Sequence, residues 1–289
     1  KRSYHLHRSY KALRFESIRH SGGRGYKNGS SMEIVSGINI KKKRCSFDVE
    51  VYPYLLDHYL EGKAIFPAVE ALIVLAHAVK TNYPQSALNS VKSASFPRFL
   101  NIMPETKLQP VFIDLEDTAD DGIVASLLTS IKSKTGNINR NIEHARVVFS
   151  GTESVEQRVP PFHKVGKMEG ECISIPSKTI YRELVPFGKY YQNIVGDLSV
   201  SFKGVLAYIY GGGGEADDKL LGSPFPFDAV MHAACVWGQR FAGKVFFPVG
   251  FEKRVIHQKT KKGEEYLGRA FPVNVTQDAL VFDAWIYDK

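Results

Sequence analysis

Two stretches constrain the fold more than anything else in the chain. In the first, Pro67 precedes AVEALIVLAHAVKTN, where Val69, Leu72, Ile73, Ala76 and Val79 recur at three- and four-residue steps. In the second, GSPFPFDAVMHAACVWGQRF, Val230, Ala233, Ala234, Trp237 and Phe241 recur in the same way. Such steps place apolar side chains on one face of a helix. Proline is tolerated in a first turn, where its missing N–H would have no partner, so Pro67 opens one helix and Pro224 and Pro226 stiffen the start of the other. Asn82-Tyr83-Pro84 stops the first.

Nearly everything around the two helices alternates as strands do. SMEIVSGINI, RCSFDVEVY, VKSASFPRFL, QPVFIDLED, IVASLLTSIKS and EHARVVFS surround the first helix; DLSVSFKGVLAYIYGG, KVFFPVGFEKRVIHQK, EYLGRAFPVNV and LVFDAWIYDK surround the second. The chain reads as strands, one buried helix and strands, then a break, then the same series again. This is a coarse duplication of a sheet wrapped on a single long helix, carried by pattern and not by a residue-level repeat. Residues 1–30 are basic and read as an N-terminal arm. Residues 31–155 form the first unit, 156–170 a linker in the polar stretch carrying Pro160-Pro161, and 171–289 the second unit.

Lysine and arginine number 38 against 30 acidic residues, a formal charge of +8. Lys1, Arg2, Arg8, Lys11, Arg14, Arg19, Arg24 and the run Lys41–Arg44 carry much of it. Such a balance suits nucleic acid, an anionic membrane or an acidic protein, or is only a solvated leader. Without a nucleic-acid motif or a basic–aromatic platform outside the arm, nucleic acid is not expected. The apolar stretch Ala64–Val79 is interrupted by Pro67, Glu70 and His77 and is too short to span a bilayer. No charged-then-apolar signal peptide opens the chain. Cys45, Cys172 and Cys235 are odd in number and lack metal spacing, which fits a reduced, cytoplasmic setting and no metal.

Chemistry concentrates beside the helices. Asp228 falls in the first turn of the second, where the dipole alone would favour an acid. His232 follows one turn later on the same face, within hydrogen-bond reach. Phe225, Phe227 and Met231 flank the carboxyl group, and apolar surroundings favour the protonated form of an acid. In the first half, His58 stands in a short polar patch just ahead of the other helix. One imidazole and one acid suit proton transfer in both directions. His5, His7, His20, His77 and His144 have no partner at a meaningful spacing. Cys235, Trp237 and Trp285 read as packing residues, and Gly211–Glu215 as a flexible loop.

These residues resemble a known family. DHYLEGKAIFPA is similar to the HxxxGxxxxP motif of polyketide synthase dehydratase domains, with His58, Gly62 and Pro67 in register. FPFDAVMH resembles their DxxxQ or DxxxH motif, with Asp228 and His232 in place. YRELVPFGKYYQNI resembles YxxLxxxGxxYGPxFQ in part. Tyr181, Leu184, Gly188 and Tyr191 fit, but Gln192-Asn193 replaces Gly-Pro and Val195 the phenylalanine. FFPVGFEKRVIH is similar to a late strand of the family. The resemblance spans roughly residues 35 to 289 and implies an α+β double hotdog, with two antiparallel sheets each wrapped on one central helix. It implies elimination of water from a 3-hydroxyacyl thioester on an acyl carrier protein, in polyketide or fatty-acid synthesis. His58 would be the base, Asp228 the acid and His232 its orienting partner, with Gly62, Pro67 and Tyr191 against the substrate. No cofactor is implied beyond the carrier's phosphopantetheine. Other synthase domains and a second copy of the chain are expected partners. An enoyl isomerase or hydratase, or a non-catalytic acyl- or carrier-binding scaffold, are the alternatives.

Overall fold

The computed structural model describes residues 6–17, 41–118, 122–132, 139–150, 160–213 and 220–288. The first half runs β1 (Leu6–Ser17), β2 (Lys41–Glu50), β3 (Tyr59–Leu60), β4 (Lys63–Ile65), α1 (Ala68–Asn82), β5 (Ser90–Ser95), β6 (Asn101–Ile102), β7 (Leu108–Thr118), β8 (Gly122–Lys132) and β9 (Asn139–Phe149). The second runs β10 (Ile173–Pro176), β11 (Ile194–Ser201), β12 (Gly204–Tyr210), α2 (Phe225–Ala242), β13 (Phe246–Phe251), β14 (Lys253–Ile256), β15 (Glu265–Val275) and β16 (Ala279–Asp288). Residues 31–40, read as a strand, lie outside the described residues, as do 151–159 and 214–219.

Each long helix packs on strands of its own half: α1 on β7, β8 and β9, and α2 on β11, β12, β13, β15 and β16. Alternation accounts for the first wall. Val111, Ile113 and Leu115 of β7 and Ala145, Val147 and Phe149 of β9 are buried at every second position, Ala125 and Leu127 lie within a wholly buried stretch of β8, and Leu72, Leu75, Ala76 and Val79 of α1 are buried at helical spacing. In the second half Val205, Ala207 and Ile209 of β12 and Leu280, Phe282, Ala284 and Ile286 of β16 repeat the pattern.

The strands do not form two separate sheets. Thirteen of them make one antiparallel sheet in the order β10-β11-β12-β15-β16-β1-β13-β5-β9-β8-β7-β2, with β14 pairing both β1 and β5. The halves join through Gly250 opposite Ser95, Phe251 opposite Ala94 and Arg254 opposite Val91. The short β3, β4 and β6 form a second sheet.

The expected N-terminal arm is corrected. Leu6–Ser17 is an interior strand between β16 and β13, with Tyr10, Leu13 and Phe15 fully buried. Its register shifts between Tyr10 and Leu13, where Ala12 has φ of 49° and donates its N–H to Asp283 Oδ1 at 3.1 Å. That bulge breaks the two-residue period, and the exposed charges Arg14 and Glu16 hide what remains. β1 also moves the division of the chain, since a strand from its start completes the second half. The described part of the linker is packed as well. Phe162–Val165 forms a helical turn, Val165 is buried against Leu267, Trp285 and Tyr287, and Tyr287 donates to Pro160 O at 2.7 Å. The run Lys41–Arg44 lies on edge strand β2, where Arg44 makes two 2.6 Å bonds to Asp114 and Lys42 one of 2.8 Å to Glu116.

Candidate active site

His58 follows a short 3-10 turn, Pro53–Asp57, and precedes β3. The hairpin after it explains the next motif residue. β3 and β4 are joined by Glu61-Gly62, with φ of 50° and 76°, the two positive angles that a type I′ turn requires. Glycine at 62 is thus set by backbone angle, and a Cβ there would touch no protein atom. The hairpin holds His58 at two points, Ile65 N–H donating to His58 O at 2.8 Å and Nδ1 lying 2.9 Å from Ile65 O, and the 3-10 turn at a third, His58 N–H donating to Leu55 O at 3.3 Å. A carbonyl only accepts, so Nδ1 carries the proton and Nε2 is left bare. Burial pushes the imidazole below its ordinary pKa, the nearby His232 adds to this, and the Asp228 carboxylate opposes it.

Asp228 lies in the first turn of α2 with its side chain almost wholly buried. Of its expected apolar flank only Met231 shares its cavity. Phe227 turns the other way and stacks on Tyr10 at 3.9 Å, and Phe225 packs edge-on to Tyr191 at 5.5 Å. His232 Nε2 approaches Asp228 Oδ2 to 2.9 Å, out of hydrogen-bond alignment, and neither atom has another protein partner. Behind His232 stands Tyr181. Its hydroxyl accepts the Ile194 N–H at 2.9 Å and lies 3.5 Å from His232 Nδ1. With one lone pair taken by Ile194, the tyrosine proton is free to turn towards Nδ1, which biases the imidazole proton to Nε2, on the side of Asp228.

His58, Asp228 and His232 line one cavity of about 510 Å³. Its walls are mainly apolar, from Leu60, Ile65, Phe66, Leu127, Met231 and Phe246 among others. Phe187 packs against both imidazoles, with ring centroids 4.3 Å from His58 and 4.9 Å from His232. Gly62 also lines the cavity. Pro67 does not; it caps α1, with Glu70 and Ala71 N–H donating to its carbonyl. Tyr191 is fully buried, edge-on to His58 at 5.1 Å, and its hydroxyl has no partner. It stands beside the cavity without lining it. Among the described residues no helix is long and apolar enough to cross a membrane, and no cluster of His, Cys, Asp and Glu could hold a metal.

No family model matches the chain, and no curated protein matches it by sequence. Solved structures do match by fold. The dehydratase domain from the CurF module of the curacin polyketide synthase superposes with a TM-score of 0.62 at 16% identity, covering 90% of this chain and 96% of that one. The dehydratase domain from the CurK module gives 0.59 at 18%, over 88% and 93%. A monomeric dehydratase domain from a trans-AT polyketide synthase split module gives 0.60 at 10%, over 86% and 99%. The chain has the hotdog fold of polyketide synthase dehydratase domains.

Within that fold, Phe187 lines the cavity although no sequence signal singles it out, because it comes from an irregular stretch before β11 where no periodicity predicts a direction. Tyr181, a motif position in the same stretch, stands behind His232 and not on the cavity wall. His144 of β9 lines the cavity, its Nε2 2.8 Å from Thr129 Oγ1 and Nδ1 3.3 Å from Arg98 O, and burial lowers its pKa. Cys235, expected in the core, is half-buried on the cavity wall. Its thiol donates to Phe246 O at 3.2 Å, and burial pushes its pKa up to about 12. Gly211 and Gly212, read as part of a flexible loop, are packed: Gly211 N–H donates to Glu264 O at 2.7 Å, and a Cβ on Gly212 would overlap the Phe225 ring.

Proposed function

We propose that the chain is a dehydratase that removes water from a 3-hydroxyacyl thioester, presented on the phosphopantetheine arm of an acyl carrier protein, in polyketide synthesis. One observation carries this reading. An imidazole from the first half and a carboxyl group from the second line the same apolar cavity, although most of the chain separates them. On this reading the halves are two hotdog units sharing one continuous sheet, and the cavity lies between their helices.

Elimination needs a base at C2 and an acid at the C3 hydroxyl, because hydroxide leaves poorly. His58 is the base: bare Nε2 takes the C2 proton, while the bond from Nδ1 to Ile65 O keeps the ring in that tautomer. The electron pair released at C2 forms the C2–C3 double bond as the C3–O bond breaks. Asp228 delivers a proton to the departing oxygen, so water leaves. His232 orients Asp228, and Tyr181 orients His232 in turn. Charge gathers on the thioester oxygen during the reaction. The Ala68 N–H, at the first position of α1 on the cavity wall and ahead of the first bonds to Pro67 O, stabilises it. The reaction is redox-neutral and calls for no metal. Tyr191 keeps a packing role against His58.

Incubation with a 3-hydroxyacyl pantetheine thioester tests the proposal. The expected result is an enoyl absorbance with the mass loss of one water, reduced about 10²–10⁴-fold in His58→Ala and in Asp228→Asn with the fold kept. Variants that match the parent would overturn the roles. A double bond that moves without loss of water would favour an isomerase.

A further inference from the structure

The residue ahead of the base ties the two halves together. Asp57 closes the 3-10 turn that leads into His58. Its carbonyl accepts the Gly188 N–H at 2.7 Å, and its Oδ2 accepts the Tyr190 N–H at 3.0 Å. Gly188 and Tyr190 belong to the other half, in the 3-10 turn Lys189–Tyr191 and its cap, just before β11. The fit is tight. A Cβ on residue 188 would overlap the carboxyl carbon of Asp57, although Gly188 has φ of −68°, which any residue adopts. Glycine is needed here for room and not for backbone angle. The segment clasped in this way also carries Phe187, packed against both the His58 and His232 rings, and Tyr191, edge-on to His58. Asp57 itself stands outside the cavity.

We propose that Asp57 is a positioning residue: a latch between its carboxylate and carbonyl and the 188–190 backbone fixes the base-bearing turn against the second half and so sets the separation of His58 from Asp228. The hairpin β3–β4 holds His58 from one side. The latch holds it from the other, and it is the part that refers the base to the half carrying the acid. A reacting group displaced by about 1 Å loses on the order of 10² in rate, so a latch of two hydrogen bonds can govern turnover without touching substrate. This inference rests on the proposed dehydratase reading.

The test compares the whole chain with Asp57→Ala, Asp57→Asn and Gly188→Ala. The expected result is a fall of about 10²-fold in kcat for Asp57→Ala and Gly188→Ala, with KM within twofold and the melting temperature nearly kept. Asp57→Asn, which retains an acceptor oxygen, recovers most of the rate. Gly188→Ala keeps every charge but pushes the latch open, so His58 becomes more hydrated and the acid limb of kcat/KM moves to higher pH. Equal kcat in all four proteins, or a loss confined to KM with an unmoved pH profile, overturns the latch. An NMR titration of the His58 imidazole reads the same event without turnover. A pKa raised in Gly188→Ala supports the latch even if the thioester is not dehydrated, and an unchanged one refutes it. Failure of the parent to release water counts against the dehydratase reading alone.

Discussion

Tyr181→Phe isolates the support behind the acid. The substitution keeps the ring and deletes one oxygen, two of whose contacts set the expected losses. The first is the Ile194 N–H, 2.9 Å away at the start of β11. Ile194 is 2% exposed and Tyr181 6%, so water cannot replace the lost acceptor. A buried N–H left without a partner costs about 1–3 kcal/mol. The second is His232 Nδ1 at 3.5 Å, a long contact that adds at most about 0.5 kcal/mol. Stability should therefore fall by about 1–3 kcal/mol. Turnover should fall by less than about tenfold, because the tautomer of His232 is biased and not fixed by a bond of that length. Urea denaturation monitored by tryptophan fluorescence measures the first, and thioester dehydration the second. Unchanged denaturation midpoints would refute the role assigned to the hydroxyl. A loss of turnover as deep as that of Asp228→Asn would refute the ranking.

Two further outcomes follow from charge. Burial lowers the His58 pKa, and the base acts only when neutral. The acid limb of kcat/KM should therefore fall below the ordinary histidine value near 6.5, and a limb above it would contradict the assignment. On strand β7, hydrogen bonds from Arg44 hold the Asp114 carboxyl below the usual carboxylate range against the opposing effect of burial. A folded pKa below the unfolded value stabilises above the unfolded pKa, near 4, and is lost as pH falls through the folded one. Arg44→Ala should lower the melting temperature more at pH 7 than at pH 3. The Arg44 side chain is 45% exposed, so the effect is about 1 kcal/mol or less.

The sequence announced what repeats and hid what does not. α1 and α2 were legible because their apolar residues keep helical spacing over four or more turns, with prolines at the starts. The strands of the two walls were legible for the equivalent reason at period two. β1 was missed because a single bulge at Ala12 changes phase between Tyr10 and Leu13, and charges on the other face read as a solvated arm. Continuity of the sheet was also hidden, since it depends on short pairings between β5 and β13–β14 that no local pattern encodes. His58, Gly62, Asp228 and His232 were singled out through their likeness to the family's motifs, and the structure brings all four to one cavity. Gly188 was noted as a motif position, but its reason, the Asp57 carboxyl occupying its side-chain space, exists only in three dimensions. The places of Phe187 and His144 on the cavity wall required the direction of a side chain leaving an irregular turn or a strand of unknown register.

The sharpest test of the account is a double-mutant cycle on turnover of a 3-hydroxyacyl thioester, with His58→Ala, Asp228→Asn and the pair. If the two groups act on one substrate in one cavity, each single variant loses about 10²–10⁴-fold, and the double variant is scarcely worse than the poorer single. Losses that multiply, or single variants as active as the parent, would contradict it.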